Sequence, residues 1–412
     1  MTPSAPAPQA RVNLRTPEVM ARVQAEVENH YRSEWVERIR GAGGRAVIGN
    51  TTILLAKAFG FCYGVERAID LAYAARKVFV DKRIFLLGEI IHNPDVNGQI
   101  AAMGILPLSA RPSEAEFAAL MADDVVIVPA FGSEVTTLSR IKMIGCQIVD
   151  TTCGDVMSVW KRVRQNAREE VTSIIHGKSG HEETRATASQ ARGAGGGHFL
   201  VVLDLHETDR VCEFLRGKIS KEIILSEFKG AYSAGFDPDL HLRRIGVANQ
   251  TTMLRSETEE VQQRLRDAVS NRDGGDVANF RFFDTICGAT QERQDALFDL
   301  LRTRLDLLLV VGGYNSSNTT HLAEIGEKAV DTYFIRNAEC LESEHAIRHY
   351  DLHEKVEVQS AKWLPVGPAL IGITAGASCP NNLIEETILR VLELRGESVP
   401  ASPDHLASAV RG

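Results

Sequence analysis

The stretch Val149-Asp150-Thr151-Thr152-Cys153 places a cysteine between a short apolar run and a helical pattern that follows at once. The same arrangement occurs at Cys62, after Phe59-Gly60-Phe61, and at Cys287, after the run 282–286. A cysteine at the start of a helix lies near free backbone N–H groups and the positive end of the helix dipole, which favours the thiolate. The sequence therefore predicts three strand–cysteine–helix corners whose thiolates meet at one site.

Three thiolates suit either a zinc ion with a fourth ligand or a [4Fe–4S] cluster with one open iron. Local zinc motifs place two cysteines within a few residues of each other, and this sequence contains no such pair. Widely separated single ligands favour the cluster. Of the other cysteines, Cys146, Cys212 and Cys340 are predicted to be structural, whereas Cys379 adjoins a polar loop and its role stays open.

The overall composition narrows the class of protein. The chain has 412 residues, of which 44% are hydrophobic and 24% charged, and its formal net charge is −8. An acidic balance argues against a general nucleic-acid binder, and no apolar run approaches the roughly 20 residues of a membrane span. Dispersed cysteines indicate a reducing compartment. We therefore expect a cytoplasmic protein with neither a nucleic-acid nor a membrane partner.

Apolar strands alternate with helical patterns, and each strand ends in a polar loop, which predicts an α/β fold with parallel sheets flanked by helices. We expect three similar lobes around a common centre, each with one of the three cysteines first. The predicted strands are 53–56, 84–87 and 125–128 in the first lobe, 172–175, 199–203 and 245–248 in the second, and 307–311 and 370–373 in the third.

The predicted domain boundaries follow from this pattern. The lobes are expected at 49–150, 151–284 and 285–395, followed by a tail at 396–412. The extension 1–48 begins with ten Pro/Ala-rich residues that we expect to be disordered. Its residues from Thr16 to Ile39 have helical spacing, lack the apolar core of a secretory signal and include early acidic residues that argue against a transit peptide. We expect that segment to pack on the body or on a partner.

The loops at the predicted strand ends carry uncharged or weakly basic hydrogen-bonding groups, namely His92, His181, Thr251, Ser316, Ser317, Asn318 and Ser378. Imidazoles, hydroxyls and helix N-termini together suit a phosphate or diphosphate. Neither a P-loop nor a dinucleotide-binding glycine motif is present, so a nucleotide is not indicated. Glu183 is the loop acid to which we assign proton transfer.

These residues stand in runs that resemble one family. The runs are Gly60-Phe61-Cys62-Tyr63-Gly64-Val65, Glu89-Ile90-Ile91-His92-Asn93, Asp150-Thr151-Thr152-Cys153, Gly180-His181-Glu182-Glu183, Asn249-Gln250-Thr251-Thr252, Thr285-Ile286-Cys287, Asn315-Ser316-Ser317-Asn318 and Thr374-Ala375-Gly376-Ala377-Ser378. From about residue 51 to 395 the chain resembles the IspH/LytB family, the 4-hydroxy-3-methylbut-2-enyl diphosphate reductases.

The resemblance implies a three-lobed α/β fold around one [4Fe–4S] cluster held by Cys62, Cys153 and Cys287. It implies the last step of the non-mevalonate isoprenoid pathway, in which two electrons and protons remove the substrate's hydroxyl through an allyl-type intermediate. The products are isopentenyl and dimethylallyl diphosphates, and the electron donor is a small acidic ferredoxin or flavodoxin. By position, Glu183 matches the family's proton-relay acid, and Thr251 lies beside the substrate hydroxyl. The matches to the diphosphate-binding residues are His92, His181, Ser316, Ser317, Asn318 and Ser378.

The sequence departs from the commonest family pattern at three positions. Phe131 stands where many members carry a diphosphate-binding histidine, so we expect Phe131 to line the cavity and Lys178 to supply charge. Gly154 replaces the usual proline after the central cysteine, which predicts a looser corner because proline pre-sets a helix start. Cys379 stands where alanine or threonine is usual, and we expect a thiol there to be open to oxidation.

Two other functions remain compatible with three cysteines and an open iron. A hydro-lyase that uses the iron as a Lewis acid would turn over without an electron donor. A non-enzymatic iron or oxygen sensor would keep the cysteines but need neither Glu183 nor the hydroxyl and amide groups of residues 316–318. It would also need a basic or partner-binding module, for which the N-terminal helix, which is not strongly basic, is the one candidate.

Overall fold

The computed structural model describes residues 12–193, 196–283 and 285–398, and the fold in those ranges is α/β, as predicted. Its helices are α1 Pro17–Tyr31, α2 Glu34–Gly41, α3 Tyr63–Val78, α4 Pro94–Ala102, α5 Glu114–Ala119, α6 Val135–Ile144, α7 Gly154–Arg168, α8 Glu182–Gly193, α9 Leu205–Leu215, α10 Lys221–Glu227, α11 Pro238–His241, α12 Arg255–Arg272, α13 Gly288–Leu301, α14 Ser317–Glu327 and α15 Asn381–Leu394. A short 3₁₀ helix spans Ala338–Cys340.

The strands are β1 Arg45–Ile48, β2 Thr51–Leu55, β3 Ile84–Leu87, β4 Leu106–Leu108, β5 Val125–Val128, β6 Gln147–Asp150, β7 Thr172–His176, β8 Phe199–Val202, β9 Ile245–Asn249, β10 Phe280–Phe282, β11 Leu307–Val311, β12 Thr332–Ile335, β13 Leu341–Ser343, β14 Ala346–Asp351, β15 Val356–Ala361 and β16 Ala369–Ala375. The chain separates into two compact units. Among the described residues, unit 1 contains 12–13, 79–90, 104–193, 196–283 and 285–287, and unit 2 contains 14–78, 91–103 and 288–398.

Unit 1 holds two parallel four-stranded sheets, with strand orders β4-β3-β5-β6 and β10-β9-β7-β8. An inner strand of each sheet, β5 in one and β9 in the other, is buried along its whole length. Strands buried on both faces are typical of parallel sheets covered by helices. In such sheets the carboxyl ends of the strands share one edge, where ligands bind. The polar loops of this unit begin at those ends.

Unit 2 is built on a five-stranded sheet of order β1-β2-β16-β11-β12, in which the β1–β2 pair is antiparallel and the other pairs are parallel. The predicted grouping of strands is wrong at one place. We expected 53–56 to join 84–87 and 125–128, but β2 pairs with β16 instead. Consecutive strands are usually neighbours, and our grouping followed that tendency where the chain makes a long crossover.

The antiparallel sheet β13-β14-β15, also in unit 2, was not predicted. Strand β15 has no buried residue, and β14 has one. A ribbon with so little buried surface carries weak hydrophobic periodicity, which is the main signal for a strand in a sequence.

The helical extension predicted from Thr16 to Ile39 is present as two helices, α1 and α2. They are separated at Ser33, whose hydroxyl accepts a hydrogen bond from the Val36 N–H at 2.9 Å and so caps α2. Val36 and Ile39 are buried in unit 2, so the extension packs on the body. The predicted disorder of residues 1–10 and the tail beyond 398 lie outside the described residues. Among the described helices, none combines the length and the hydropathy required to cross a bilayer.

Candidate active site

The seven cysteines divide into two groups by exposure. Cys62, Cys153 and Cys287 are partly exposed, and each immediately precedes a helix, α3, α7 or α13. The other four are buried, and none of the seven, all within the described residues, forms a disulfide. Burial raises the pKa of Cys146 to about 11 and that of Cys212 to about 12, which keeps both thiols protonated.

The corner at Cys153 follows the expected pattern closely. Strand β6 ends at Asp150, whose carboxylate accepts the Thr152 N–H at 3.0 Å. The Thr151 hydroxyl donates to a strand β5 carbonyl at 2.6 Å, and the Cys153 N–H donates to the Ala130 carbonyl at 2.8 Å. Cys153 is the N-cap residue of α7. These contacts fix the thiol at the positive end of a 15-residue helix.

The other two corners differ from the prediction. Strand β2 ends at Leu55, so a loop separates it from Cys62, and strand β10 ends at Phe282 rather than running on to Cys287. Most of the apolar residues that precede these two cysteines are therefore loop residues. Aromatic residues in a loop give the same hydrophobic signal as a short strand, so the sequence pattern did not separate the two cases.

In unit 1, the predicted proton-transfer acid is connected to a cysteine corner through one residue. Glu183 lies in the first turn of α8 and is only 3% exposed. Its carboxylate accepts the backbone N–H of Thr251 at 2.6 Å, and the Thr251 carbonyl accepts the N–H of Cys287 at 3.2 Å. Burial with a backbone donor holds the carboxylate in one orientation. The structure therefore brings Glu183, Thr251 and Cys287 together.

His181 extends this group. Its Nδ1 accepts the backbone N–H of Glu183 at 3.2 Å, so the imidazole is anchored at the start of the same helix. The Phe131 ring lies edge-on to the imidazole, with 6.4 Å between ring centroids, and is 8% exposed. Lys178 is exposed, and its backbone N–H donates to the Gln250 side chain at 3.3 Å. Phe131 thus lies against His181, whereas the expected substitute charge lies on an exposed side chain.

In unit 2, the remaining predicted residues form a second group. The Ser378 hydroxyl donates to the His92 carbonyl at 3.2 Å, and its oxygen lies 3.4 Å from the Ser316 hydroxyl oxygen. These contacts join the loop after β16, the loop after β3 and the start of α14. The buried members of the group are Ser316, Ser317, Asn318 and Ser378.

This loop cluster also reaches the first cysteine corner. The Asn318 side chain accepts the Ala377 N–H at 2.9 Å, and the Ala377 carbonyl accepts the Cys62 N–H at 3.2 Å. The polar group of unit 2 is therefore connected to Cys62 through backbone hydrogen bonds, as the group of unit 1 is connected to Cys287.

Two residues that hold the loop cluster together were not predicted from the sequence. Asn93, 1% exposed, donates to the Ser378 carbonyl at 2.9 Å while capping α4 ahead of Pro94. Gly313 lies so close to the His92 carbonyl that a Cβ there would clash with its oxygen. Glycine at this position permits two loops to approach each other. The Asn-Pro dipeptide was an available signal for the cap.

The chain matches one family of known proteins over most of its length. The model of the family described as "LytB protein" matches residues 53–392. The chain belongs to the LytB family. It is 44% identical over 397 residues to the 4-hydroxy-3-methylbut-2-enyl diphosphate reductase of Gloeobacter violaceus, covering 95% of this chain and 94% of that protein. It is 45% identical over 375 residues to the protein of the same name from Synechococcus sp. strain RCC307, covering 90% and 91%.

Solved LytB-family structures share the fold. One, described as (E)-4-hydroxy-3-methyl-but-2-enyl diphosphate reductase, the terminal enzyme of the non-mevalonate pathway, aligns with a TM-score of 0.51 and 26% identity, covering 84% of this chain and all of that one. The Plasmodium falciparum reductase aligns with a TM-score of 0.62 at 20% identity, covering 87% and 98%. The family predicted from the sequence motifs is confirmed.

The structure contradicts the expectation for Cys379, one of the three departures from the LytB pattern. Cys379 was expected to be open to oxidation, but its side chain is fully buried. Burial raises the pKa of the Cys379 thiol, and the nearby carboxylates of Asp95 and Glu386 raise it further. Oxidants react with exposed thiolates, so a buried, protonated thiol is protected. Its position next to Ser378 in the sequence did not reveal which way the side chain points.

The departure at Gly154 leads to a stability prediction. Gly154 is the first residue of α7, and a Cβ there would meet no atom within 4 Å. Cys153 has φ −62° and ψ 144°, the extended conformation that a following proline requires. We expect Gly154→Pro to raise the free energy of unfolding by about 0.5–1 kcal/mol through the unfolded state. Urea unfolding of the two proteins measures the change, and a loss of stability would show that the turn is strained by proline.

Proposed function

We propose that this LytB-family chain reduces 4-hydroxy-3-methylbut-2-enyl diphosphate to isopentenyl and dimethylallyl diphosphates. The C–O bond to the hydroxyl is broken, two electrons and two protons are consumed, and water leaves. The observation that carries the proposal is the identity of 44% with a reductase of this name over 95% of the chain. A match over this length includes both residue groups described above, in units 1 and 2.

The donor set fits an iron–sulfur cofactor. Cys62, Cys153 and Cys287 are the partly exposed thiols and all stand at helix starts, while the remaining cysteines are buried. We propose that these three hold one [4Fe–4S] cluster, within the three-lobed arrangement that the sequence predicts. When bound, such a cluster supplies the electrons for the reductive step. The helix dipoles stabilise the negative charge of the three thiolates.

Glu183 is proposed to deliver the proton that converts the leaving hydroxyl to water. Its carboxylate is fixed by the Thr251 N–H at 2.6 Å, and Thr251 is joined to the Cys287 backbone. A proton donor must stand within hydrogen-bond reach of the atom that it protonates, and a buried carboxyl group held in one orientation keeps a fixed position from which to do so. Thr251 takes part in the same hydrogen bond, and we propose that its side-chain hydroxyl contacts the hydroxyl of the substrate.

The loop cluster is proposed to bind the diphosphate, and His181 is proposed as a diphosphate ligand from its match to the family motif. Ser316 caps α14, an 11-residue helix whose first N–H groups attract anions. Further hydroxyl, amide and imidazole groups come from Ser317, Asn318, Ser378 and His92. Their mutual hydrogen bonds set the positions of these loops before the substrate arrives, which reduces the entropy lost on binding. The partner that we propose as electron donor is a small acidic ferredoxin or flavodoxin of the cytoplasm.

Anaerobic turnover tests the proposed function. Cluster-reconstituted protein is mixed with the substrate and a reduced viologen dye, and the products are separated by chromatography. We expect two equivalents of dye to be oxidised for each five-carbon diphosphate formed. Consumption of the substrate without any dye, to products other than the two reduced diphosphates, would favour the hydro-lyase, and an intact cluster without turnover would favour the sensor. Protein without the cluster is the control for reduction by the dye alone.

A further inference from the structure

The segment before the family match reaches the loop of Cys62. Residues 16–41 precede the matched range 53–392, and helices α1 and α2 pack in unit 2 through Val23, Val36 and Ile39, each at most 2% exposed. Helix α1 packs against α3, the helix that begins directly after Cys62. A segment that is buried this deeply has a defined place against the body of unit 2.

Arg40, at the end of this segment, contacts the loop twice. Its guanidinium lies 4.0 Å from the centroid of the Phe59 ring, and its Nη2 donates to the Phe59 carbonyl at 2.8 Å. Glu37, one turn earlier in α2, accepts from Arg40 Nη1 at 3.4 Å and from the Asn381 side chain at 3.3 Å. A planar guanidinium can stack on a ring and donate in its own plane at the same time, which an ammonium cannot. Arg40 therefore fixes both the ring and the backbone of one loop residue.

The next two loop residues are held as well. Gly60 has φ +82°, and a Cβ there would lie 2.7 Å from the Asn381 side-chain oxygen, so this position requires glycine. The buried guanidinium of Arg293 donates to the Gly60 carbonyl at 2.6 Å. The Phe61 ring lies 5.4 Å from the ring of Tyr31 in α1, measured between centroids. Each residue from 59 to 61 thus has a separate contact.

The loop has open space on the side of the extension. A cavity of about 450 Å³ is lined by Tyr31 and Arg40 from the extension and by Phe59, Phe61 and Glu66 from the loop and α3. Close packing, which immobilises most interior segments, is incomplete where a segment borders such a volume. The directed contacts of Arg40, Tyr31 and Arg293 then contribute to where the loop lies.

We propose that residues 16–41 are a positioning element for the Cys62 loop, and that Arg40 is its main positioning residue. By holding Phe59, three residues before the thiol, Arg40 limits the positions that Cys62 can occupy. This inference rests on the proposed function, because it treats Cys62 as a cluster ligand. It adds to that function a role for a segment outside the matched family range.

The test uses the full chain with single substitutions. Arg40→Gln removes the charge, and Arg40→Lys keeps the charge but loses the planar geometry. Arg38→Gln is the matched control, since Arg38 is exposed on the same helix. In cluster-free protein, the alkylation rate of each cysteine by iodoacetamide is followed by peptide mass spectrometry. In reconstituted protein, the loss of cluster absorbance is followed after addition of an iron chelator.

We expect Cys62 to be alkylated about tenfold faster in both Arg40 variants, because neither glutamine nor lysine can stack on the Phe59 ring and donate to the Phe59 carbonyl at the same time. Cys153, Cys287 and the four buried cysteines should keep their rates, and the chelator should remove the cluster several-fold faster. An unchanged Cys62 rate would overturn the proposal, and so would an equal rise at all seven cysteines, which indicates general destabilisation. If the wild-type protein binds no cluster, the proposed function fails, while the alkylation rates still report on the loop.

Discussion

Cys153→Ser is expected to abolish cluster binding and with it all turnover above the dye background. Serine is a good N-cap residue for α7, and the backbone N–H of residue 153 still donates its hydrogen bond to the Ala130 carbonyl. The fold of the corner is therefore retained. An alcohol oxygen is a poor substitute for a soft thiolate ligand. Iron content and visible absorbance of the anaerobically reconstituted variant measure the loss. The same result is expected for serine at Cys62 and at Cys287.

The control for this experiment is Cys212→Ala. Cys212 is buried in the hydrophobic core around strands β7 to β9, so its removal leaves a small cavity and costs stability of about 1 kcal/mol, without loss of iron. A Cys153→Ser protein that retains full iron content would contradict the assignment of this ligand. Equal iron loss in the Cys212 variant would show that the effect comes from instability instead.

Glu183→Gln is expected to lower kcat by about 10²–10⁴-fold, the usual contribution of a positioned general acid. Glutamine has the same shape and keeps a side-chain oxygen, so we expect it to accept the hydrogen bond from the Thr251 N–H that Glu183 accepts at 2.6 Å. Because the amide cannot donate a proton as an acid does, the loss should appear in kcat and leave KM close to its original value. Steady-state kinetics with the reduced dye give both constants, and iron content confirms that the cluster is present.

The matched control is Glu182→Gln, which makes the same chemical change at the neighbouring residue of α8. Glu182 is partly exposed, and we assign it no part in proton transfer. We expect its kcat to stay within about twofold of the wild type, because its carboxyl group is not the proposed proton donor. A Glu183→Gln enzyme with nearly full kcat would mean that the proton comes from another group.

The sequence predicted the parts of the fold and site that depend on local pattern. The Cys153 corner was recognisable because an apolar strand, a cysteine and an amphipathic helix follow each other directly. Glu183 and the run 315–318 were recognisable because polar residues at the ends of buried strands collect at one edge of a parallel sheet. The family motifs then gave each of these residues a role that the spacing did not supply.

The rest depended on contacts between residues distant in the chain. The contacts of Arg40 with Phe59 and of Arg293 with Gly60 are bonds from side chains to backbone carbonyls, which leave no pattern of spacing in a sequence. The burial of Cys379 depends on how α15 and the Ser378 loop pack, and a residue's type does not give the direction of its side chain. The pairing of β2 with β16 also joins distant parts of the chain, so the sequence pattern did not predict it.

The pairing of β2 with β16 has a consequence for biosynthesis. Thr51 is aligned with Ala369, so the strand that leads toward the first cysteine obtains its parallel neighbour only after strand β16 has been synthesised. Long-range pairing of this kind is slow to form, because the ends of a long intervening chain must first be brought together. Unit 2 therefore cannot be completed before residues 369–375 have been synthesised.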